Sequence, residues 1–162
     1  MEQQSESDWN AFSPLEKARS LADSAAQAQK QGQDQVAYAH YVQALNLYRG
    51  LGDRVNIVRM LIRINYLAGW ADFHDGLDMF TRKRVLADEA LPLAREINAP
   101  KLLAVALCAF SSSVPANNPM AMLEESLAIA QTIGDRQTQA MVLSSIANHC
   151  ALQGDHKRAE VV

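Results

Sequence analysis

Cysteine is scarce in this chain of 162 residues: Cys108 and Cys150 are the only two, and they lie 42 positions apart. Without a secretory marker such a pair reads as free thiols, so neither a disulfide framework nor redox chemistry is supported. Long apolar runs are missing as well. The longest, Leu102 to Phe110, has nine residues, whereas a helix needs roughly twenty to cross a bilayer. It reads as a buried helix, and no membrane partner is expected. The first thirteen residues are polar and acidic and lack the basic-then-apolar order of a secretory signal, which makes the cytoplasm the expected location. Charge of one sign is also in short supply. A net charge of −3 and a pI near 5.8 create no long-range field for a polyanion, so nucleic acid is not an expected partner. The one basic run, Arg82-Lys83-Arg84, reads as a solvated helix face.

Groupings that carry chemistry are equally thin. Arg49-Gly50-Leu51-Gly52 lacks the lysine and the preceding strand of a phosphate loop. Ser111-Ser112-Ser113 has no histidine near it in sequence, and a helix end before Pro115 accounts for the serines. His149-Cys150 and His156 offer three potential metal ligands within eight residues. Cys150 holds an inward position, however, and on a helix its neighbour points about 100 degrees away, so no metal site is expected. His74-Asp75 beside Asp72 has the composition of an acid-base pair, but it sits at a turn, where capping explains it. No catalytic residues, metal ligands or cofactors are expected.

What the chain does contain is helix. Hydrophobic residues make up 49%, enough for a substantial core in one domain or a short repeat array. Alanine is abundant and no stretch alternates with period two, so the fold class is expected to be all-α. Punctuation is regular. Gly52-Asp53, Gly134-Asp135 and Gly154-Asp155 each follow an amphipathic stretch, and Asn98-Ala99-Pro100 takes the same role after Ile97. Glycine or asparagine tolerates the left-handed conformation that ends a helix, and aspartate caps the next. Ser13-Pro14-Leu15-Glu16 is a capping-box start. It opens a helix expected to run to about Gln31, and a second from about Asp34 to Arg49 follows Gly32. Helices joined so tightly pack antiparallel, as a hairpin.

One spacing recurs four times without a gap. It comprises Leu21, Ser24, Ala25, Ala28 and Gly32; Leu61, Ile64, Asn65, Ala68 and Asp72; Leu107, Phe110, Ser111, Val114 and Asn118; and Leu143, Ile146, Ala147, Cys150 and Gly154. Positions i, i+3, i+4 and i+7 share one helix face. The short residue at i+4 (Ala25, Asn65, Ser111, Ala147) lets a neighbouring helix approach closely. Beyond the turn of the first unit, Ala37, Tyr41 and Ala44 again lie three to four residues apart.

On these residues the chain resembles the tetratricopeptide repeat family, whose second helix carries the alanine, aromatic, alanine series matched by Ala37, Tyr41 and Ala44. Leu123 to Asp135 is similar to the longer, roughly forty-residue variety common in bacterial regulators. The resemblance implies an α-α superhelix of about four helical hairpins, at approximately 14–52, 53–98, 99–134 and 135–162, the last incomplete, behind an N-terminal tail or cap of residues 1–12. The spacing is uneven: 46 positions separate Gly52 from Asn98 and 36 separate Asn98 from Gly134. Extra residues fall near Phe73 to Arg82. There Trp70, Phe73 and Phe80 read as closing the core of an enlarged hairpin. An incomplete last unit implies either a piece of a longer protein, which is the favoured explanation, or completion by another subunit, a possible homo-oligomer.

In this family the first helices of successive repeats line a concave groove for peptides. The corresponding positions here are Arg19, Ala22, Ala26 and Gln29; Arg59, Ile62, Tyr66 and Gly69; Val105, Cys108, Ser112 and Pro115; and Met141, Ser144, Asn148 and Ala151. Family members that hold acidic chaperone tails present lysine and asparagine where Ala22, Ala26, Ile62 and Tyr66 stand, so tail binding is not expected. The resemblance instead implies a protein or peptide partner contacted by Arg19, Arg59, Ile62, Tyr66, Ser112 and Asn148. The expected function is a non-catalytic interaction scaffold that holds a peptide or helical segment. The alternative is the peptide-sensing or ligand-sensing domain of a larger regulator, and an enzyme ranks last. Trp9 and Phe12 are expected to fold over the first helix, Phe12 at the hydrophobic-staple position. Deletion of residues 1–12 should therefore lower the thermal unfolding midpoint measurably.

Overall fold

The structure, a computed structural model, describes residues 11–68, 78–113 and 118–152. Trp9, Gly69, Trp70, Asp72, Phe73, His74, Asp75, Val114, Pro115 and everything from Gly154 to Val162 lie outside the described residues. Among those described there are seven α-helices and no strand, so the fold is all-α: α1 Pro14–Lys30, α2 Asp34–Leu51, α3 Arg54–Leu67, α4 Met79–Glu96, α5 Pro100–Phe110, α6 Pro119–Thr132 and α7 Arg136–Leu152. The chain divides into two compact units, residues 1–77 and 78–162. The division falls inside the stretch 53–98 that the spacing treats as one hairpin: α3 belongs to the first unit and α4 to the second.

In the first unit α1 begins where its sequence dictates. The Glu16 amide donates to the Ser13 hydroxyl at 3.3 Å, and the Ser13 amide donates to the Glu16 carboxylate at 2.8 Å. This reciprocal pair, with Pro14 following, satisfies amides that the first helical turn leaves open. Phe12 remains 43% exposed, because the residue it would staple is Lys17, which offers only its aliphatic stem. α1 buries Ala18, Leu21, Ala25 and Ala28, and α2 buries Ala37, Tyr41, Ala44, Leu45 and Tyr48. Alanine facing alanine brings the two axes close, and the tyrosines fill the space on either side. Ser24, which shares the recurring spacing, is exposed: it lies at the edge of the stripe, which runs through Ala25. α3 packs on α2 and buries Ile57, Val58, Met60, Leu61, Ile62, Ile64, Asn65 and Leu67.

The joint from α2 to α3 is set by backbone chemistry. Gly52 has φ of +67°, a left-handed conformation that side chains with a Cβ seldom adopt. In that conformation the Asp53 amide reaches back to the Tyr48 carbonyl at 3.0 Å and closes the helix end. Asp53 then caps α3, its carboxylate accepting from the Asn56 amide at 3.1 Å. The joint from α6 to α7 repeats each step. Gly134 has φ of +69°, the Asp135 amide donates to the Ala130 carbonyl at 3.0 Å, and the Asp135 carboxylate accepts from the Thr138 amide at 3.4 Å. Both joints read Gly-Asp-Arg, 82 positions apart.

The joint at Asn98 differs from its expected form. No residue other than glycine has a positive φ among those described, so Asn98 is not left-handed. Ile97, extended at φ −81° and ψ 126°, turns the chain instead, and Pro100 opens α5 behind an Ala99 that supplies no side-chain cap. A β-branched residue favours extended backbone, and the proline favours it at the residue before.

In the second unit α4 packs on α5, α5 on α6, α6 on α7, and α5 on α7. α4 buries Ala87, Ala90 and Ala94. It also buries Arg82, which corrects the reading of the 82–84 run as a solvated face. Only Arg84 of the three is exposed, 3.9 Å from Asp88. Cys108, Leu123, Val142, Ile146 and Cys150 form one core, flanked by Met120, Leu127 and Met141. The buried stripe of α7 runs Thr138, Val142, Ile146 and Cys150, so Val142 takes the place that the recurring spacing gives Leu143. A polar contact fixes α6 on α5: the Ser126 hydroxyl, at 0% exposure, donates to the Ala104 carbonyl at 2.6 Å. Arg95 of α4 and Glu125 of α6 make a two-pronged pair at 2.7 and 2.8 Å. Both ends are solvated, which limits the pair to about 0–1 kcal/mol. Lys101 meets Asp135 at 2.8 Å. That contact first, and the Thr138 hydroxyl second, hold the Asp135 carboxyl down to about 2.

Two outcomes follow from these contacts. Ser126→Ala is expected to cost about 1 kcal/mol in urea unfolding, and the bulkier Ser126→Leu about 1–3 kcal/mol. The folded Asp135 value lies below its ordinary 3.8, so its contribution is complete above about pH 4 and is lost as pH falls toward 2. Wild type should therefore lose stability relative to Asp135→Asn across that interval, and parallel acid titrations followed by circular dichroism would expose a contrary trend.

Candidate binding surface

The helix arrangement of the first unit brings two of the sequence-derived contact residues to one place. Tyr48 lies one turn from the end of α2, and its ring is buried. Burial raises the pKa of its phenol, as do Asp53 and Asp23 nearby, while Arg19 and Arg59 act in the opposite sense. The phenol is thus protonated at neutral pH and feels the charge of two guanidinium groups and two carboxylates. Arg19 and Asp23 come from successive turns of α1, and Asp53 and Arg59 from the start of α3. Arg19 and Arg59, 40 positions apart in sequence, both act electrostatically on the Tyr48 phenol, since α2 packs against both α1 and α3.

A hydrogen-bonded series orders the α3 side of this cluster. The Asn56 side-chain amide donates to the Asp53 carboxylate at 2.7 Å, and the Arg59 guanidinium donates to the Asn56 carbonyl oxygen at 3.2 Å. Asp53 therefore caps the helix and, through Asn56, restricts the Arg59 head group. Two turns away along α2, the Tyr41 hydroxyl donates to the Gln29 side-chain oxygen at 3.4 Å. Burial raises its pKa too, opposed by Arg63. Arg59 and Arg63 stand one turn apart on α3, both exposed, and Tyr66 follows at 42% exposure. Residues 59, 63 and 66 are spaced i, i+4 and i+7, which is one helix face.

The remaining expected contacts divide. Ile62 is 5% exposed, so its side chain is packed: three residues after Arg59, it lies at the buried edge of the face that carries Arg59 and Tyr66. Ser112 and Asn148 are exposed in the second unit. There Cys108 of α5 and Ser145 of α7 touch at 3.4 Å. Ser112 lies four residues beyond Cys108 and Asn148 three beyond Ser145, each about one turn farther along. Cys108 itself is buried, and burial raises its thiol pKa; through Ser145 it joins α5 to α7. Ala22, Ala26 and Gln29 are half-buried.

Sequence reasoning missed Asp23, Tyr48, Asn56 and Arg63. Two signals were present: Tyr48 lies seven residues after Tyr41, on the same face of α2, and α3 carries Arg54, Arg59 and Arg63 with no carboxylate of its own. Among the described residues no group of three or more histidine, cysteine or acidic side chains is placed to hold a metal ion. Nor is any helix among them long and apolar enough to cross a membrane.

No protein-family model matches the chain, and no curated protein matches it significantly in sequence.

The Tyr48 hydroxyl and ring are separable experimentally. Tyr48→Phe keeps the buried ring and should change stability by no more than about 1 kcal/mol, whereas Tyr48→Ala should cost about 3–5 kcal/mol. Urea denaturation of the two variants side by side is the measurement. Similar losses in both would mean that the polar cluster, and not the ring, holds α2 between its neighbours.

Proposed function

We propose that this chain is a non-catalytic protein interaction scaffold of tetratricopeptide-like hairpins that receives a peptide or helical segment of another protein. The observation that carries the proposal is the pairing of Arg19 with Arg59. They come from the first helices of two successive units, about one repeat length apart, both are exposed, and the charges of both bear on the buried Tyr48 phenol between those helices. Recurrence at the Gly52-Asp53-Arg54 and Gly134-Asp135-Arg136 joints supports the repeat assignment: their 82-position separation is twice a unit of about 41. The contact of α5 with α7, which skips α6, is the packing expected when successive first helices lie side by side.

A scaffold of this kind binds by presenting ordered side chains, so that little entropy is lost on association. Arg59 is restrained by Asn56, and arginine and tyrosine are the residue types that dominate interface energetics. The test begins with affinity capture using the chain as bait and identification of a protein that co-purifies and binds directly. Replacing Arg59 and Tyr66 together with alanine should weaken that complex at least about tenfold while leaving the helical circular dichroism spectrum unchanged. Undiminished affinity would end the assignment.

A further inference from the structure

The outer face of α3 has a chemistry specific enough to narrow the partner. Three arginines and no acidic residue occur along Arg54–Leu67, in a chain whose overall charge is −3. The one carboxylate at this helix, Asp53, already accepts the Asn56 backbone amide and the Asn56 side chain. Arg59 gives one N–H to Asn56, which leaves most of its five donors directed elsewhere. Arg63 sits one turn on and Tyr66 nearly one turn beyond that, all three exposed. Side chains four residues apart on a helix are about 5–6 Å apart at Cβ. Each guanidinium accepts a carboxylate in a fork, the geometry that Arg95 and Glu125 adopt within this same protein.

We propose that α3 docks an acidic protein segment that presents two carboxylates about one helical turn apart, one to Arg59 and one to Arg63, followed by an apolar residue against Tyr66. The inference rests on the scaffold reading and specifies the chemistry of its partner. A single carboxylate satisfies only one of the two forks, and a neutral apolar segment leaves both guanidinium groups to be desolvated without compensation.

The probe is a fluorescein-labelled helical peptide of glutamate, leucine and alanine about five turns long, with glutamates at i and i+4, compared with its glutamine counterpart by anisotropy on the full chain. The glutamate peptide should bind at least about tenfold more tightly than the glutamine peptide. Arg59→Gln with Arg63→Gln should remove that preference, and rising salt should weaken the wild-type complex. Equal binding of the two peptides overturns the proposal, as does a preference that survives the double substitution. So does displacement of the peptide by single-stranded DNA at equal charge concentration, which would mark a general polyanion surface. Thermal melts check that each variant is folded. If the captured partner still depends on Arg59 and Tyr66 while the glutamate peptide shows no preference, the acidic-segment inference falls and the scaffold reading stands. If the captured partner ignores both residues, the scaffold reading falls with it.

Discussion

The closing of one helix and the capping of the next within a single glycine-aspartate step governs this molecule. At Gly52 and Gly134 the left-handed backbone turns the amide of the following aspartate onto a carbonyl of the helix just ended, while the aspartate side chain receives an amide of the helix about to begin. No residue is left over for a flexible linker. Two helices joined by so short a connection have to run antiparallel and in contact, and their apolar stripes are committed to each other. Packing then needs only stripes of the right width. Alanine provides these on α1, α2 and α4, where its small side chain brings the helix axes together.

The same step supplies the polar features of the surface. Asp53 is both the cap of α3 and the first member of the series through Asn56 to Arg59. Asp135 is both the cap of α7 and the partner of Lys101 at the start of α5. In each case a residue fixed by backbone requirements orients a cation from elsewhere in its unit. Burial above all, with Asp53 and Asp23 adding to it against Arg19 and Arg59, raises the pKa of Tyr48, and its phenol stays protonated.

Regularity is interrupted where the joint chemistry changes. The α4 to α5 turn at Ile97 uses an extended residue and a proline, with no left-handed position and no capping side chain. Spacing on either side of it is likewise uneven, 46 positions before Asn98 and 36 after. Contacts specific to this unit hold it instead: the buried Ser126 hydroxyl on the Ala104 carbonyl and the Arg95 fork on Glu125.

The helices and their ends were legible in the sequence because they depend on local rules. Ser13 with Glu16, Gly52 with Asp53 and Gly134 with Asp135 act over three or four residues, and the inward stripe of Ala37, Tyr41 and Ala44 follows from the helical period alone. Position on a face was less secure. Ser24, Leu143 and Ile62 fit the recurring spacing or its groove positions, yet one is exposed, one only half-buried and one interior, since a helix face shifts by a fraction of a residue with each neighbour it meets. Residues brought together from separate helices were not legible at all. Arg19 and Arg59 were singled out one by one, but that both act on Tyr48, together with Asp23, depends on how α1, α2 and α3 pack. The sequence by itself determined the helical class, the two glycine-aspartate joints and the arginines of α3, all of them set by interactions within a turn or two of chain. Only the tertiary structure decided which side chains became a surface and which became core, because burial is a property of the neighbours a helix acquires.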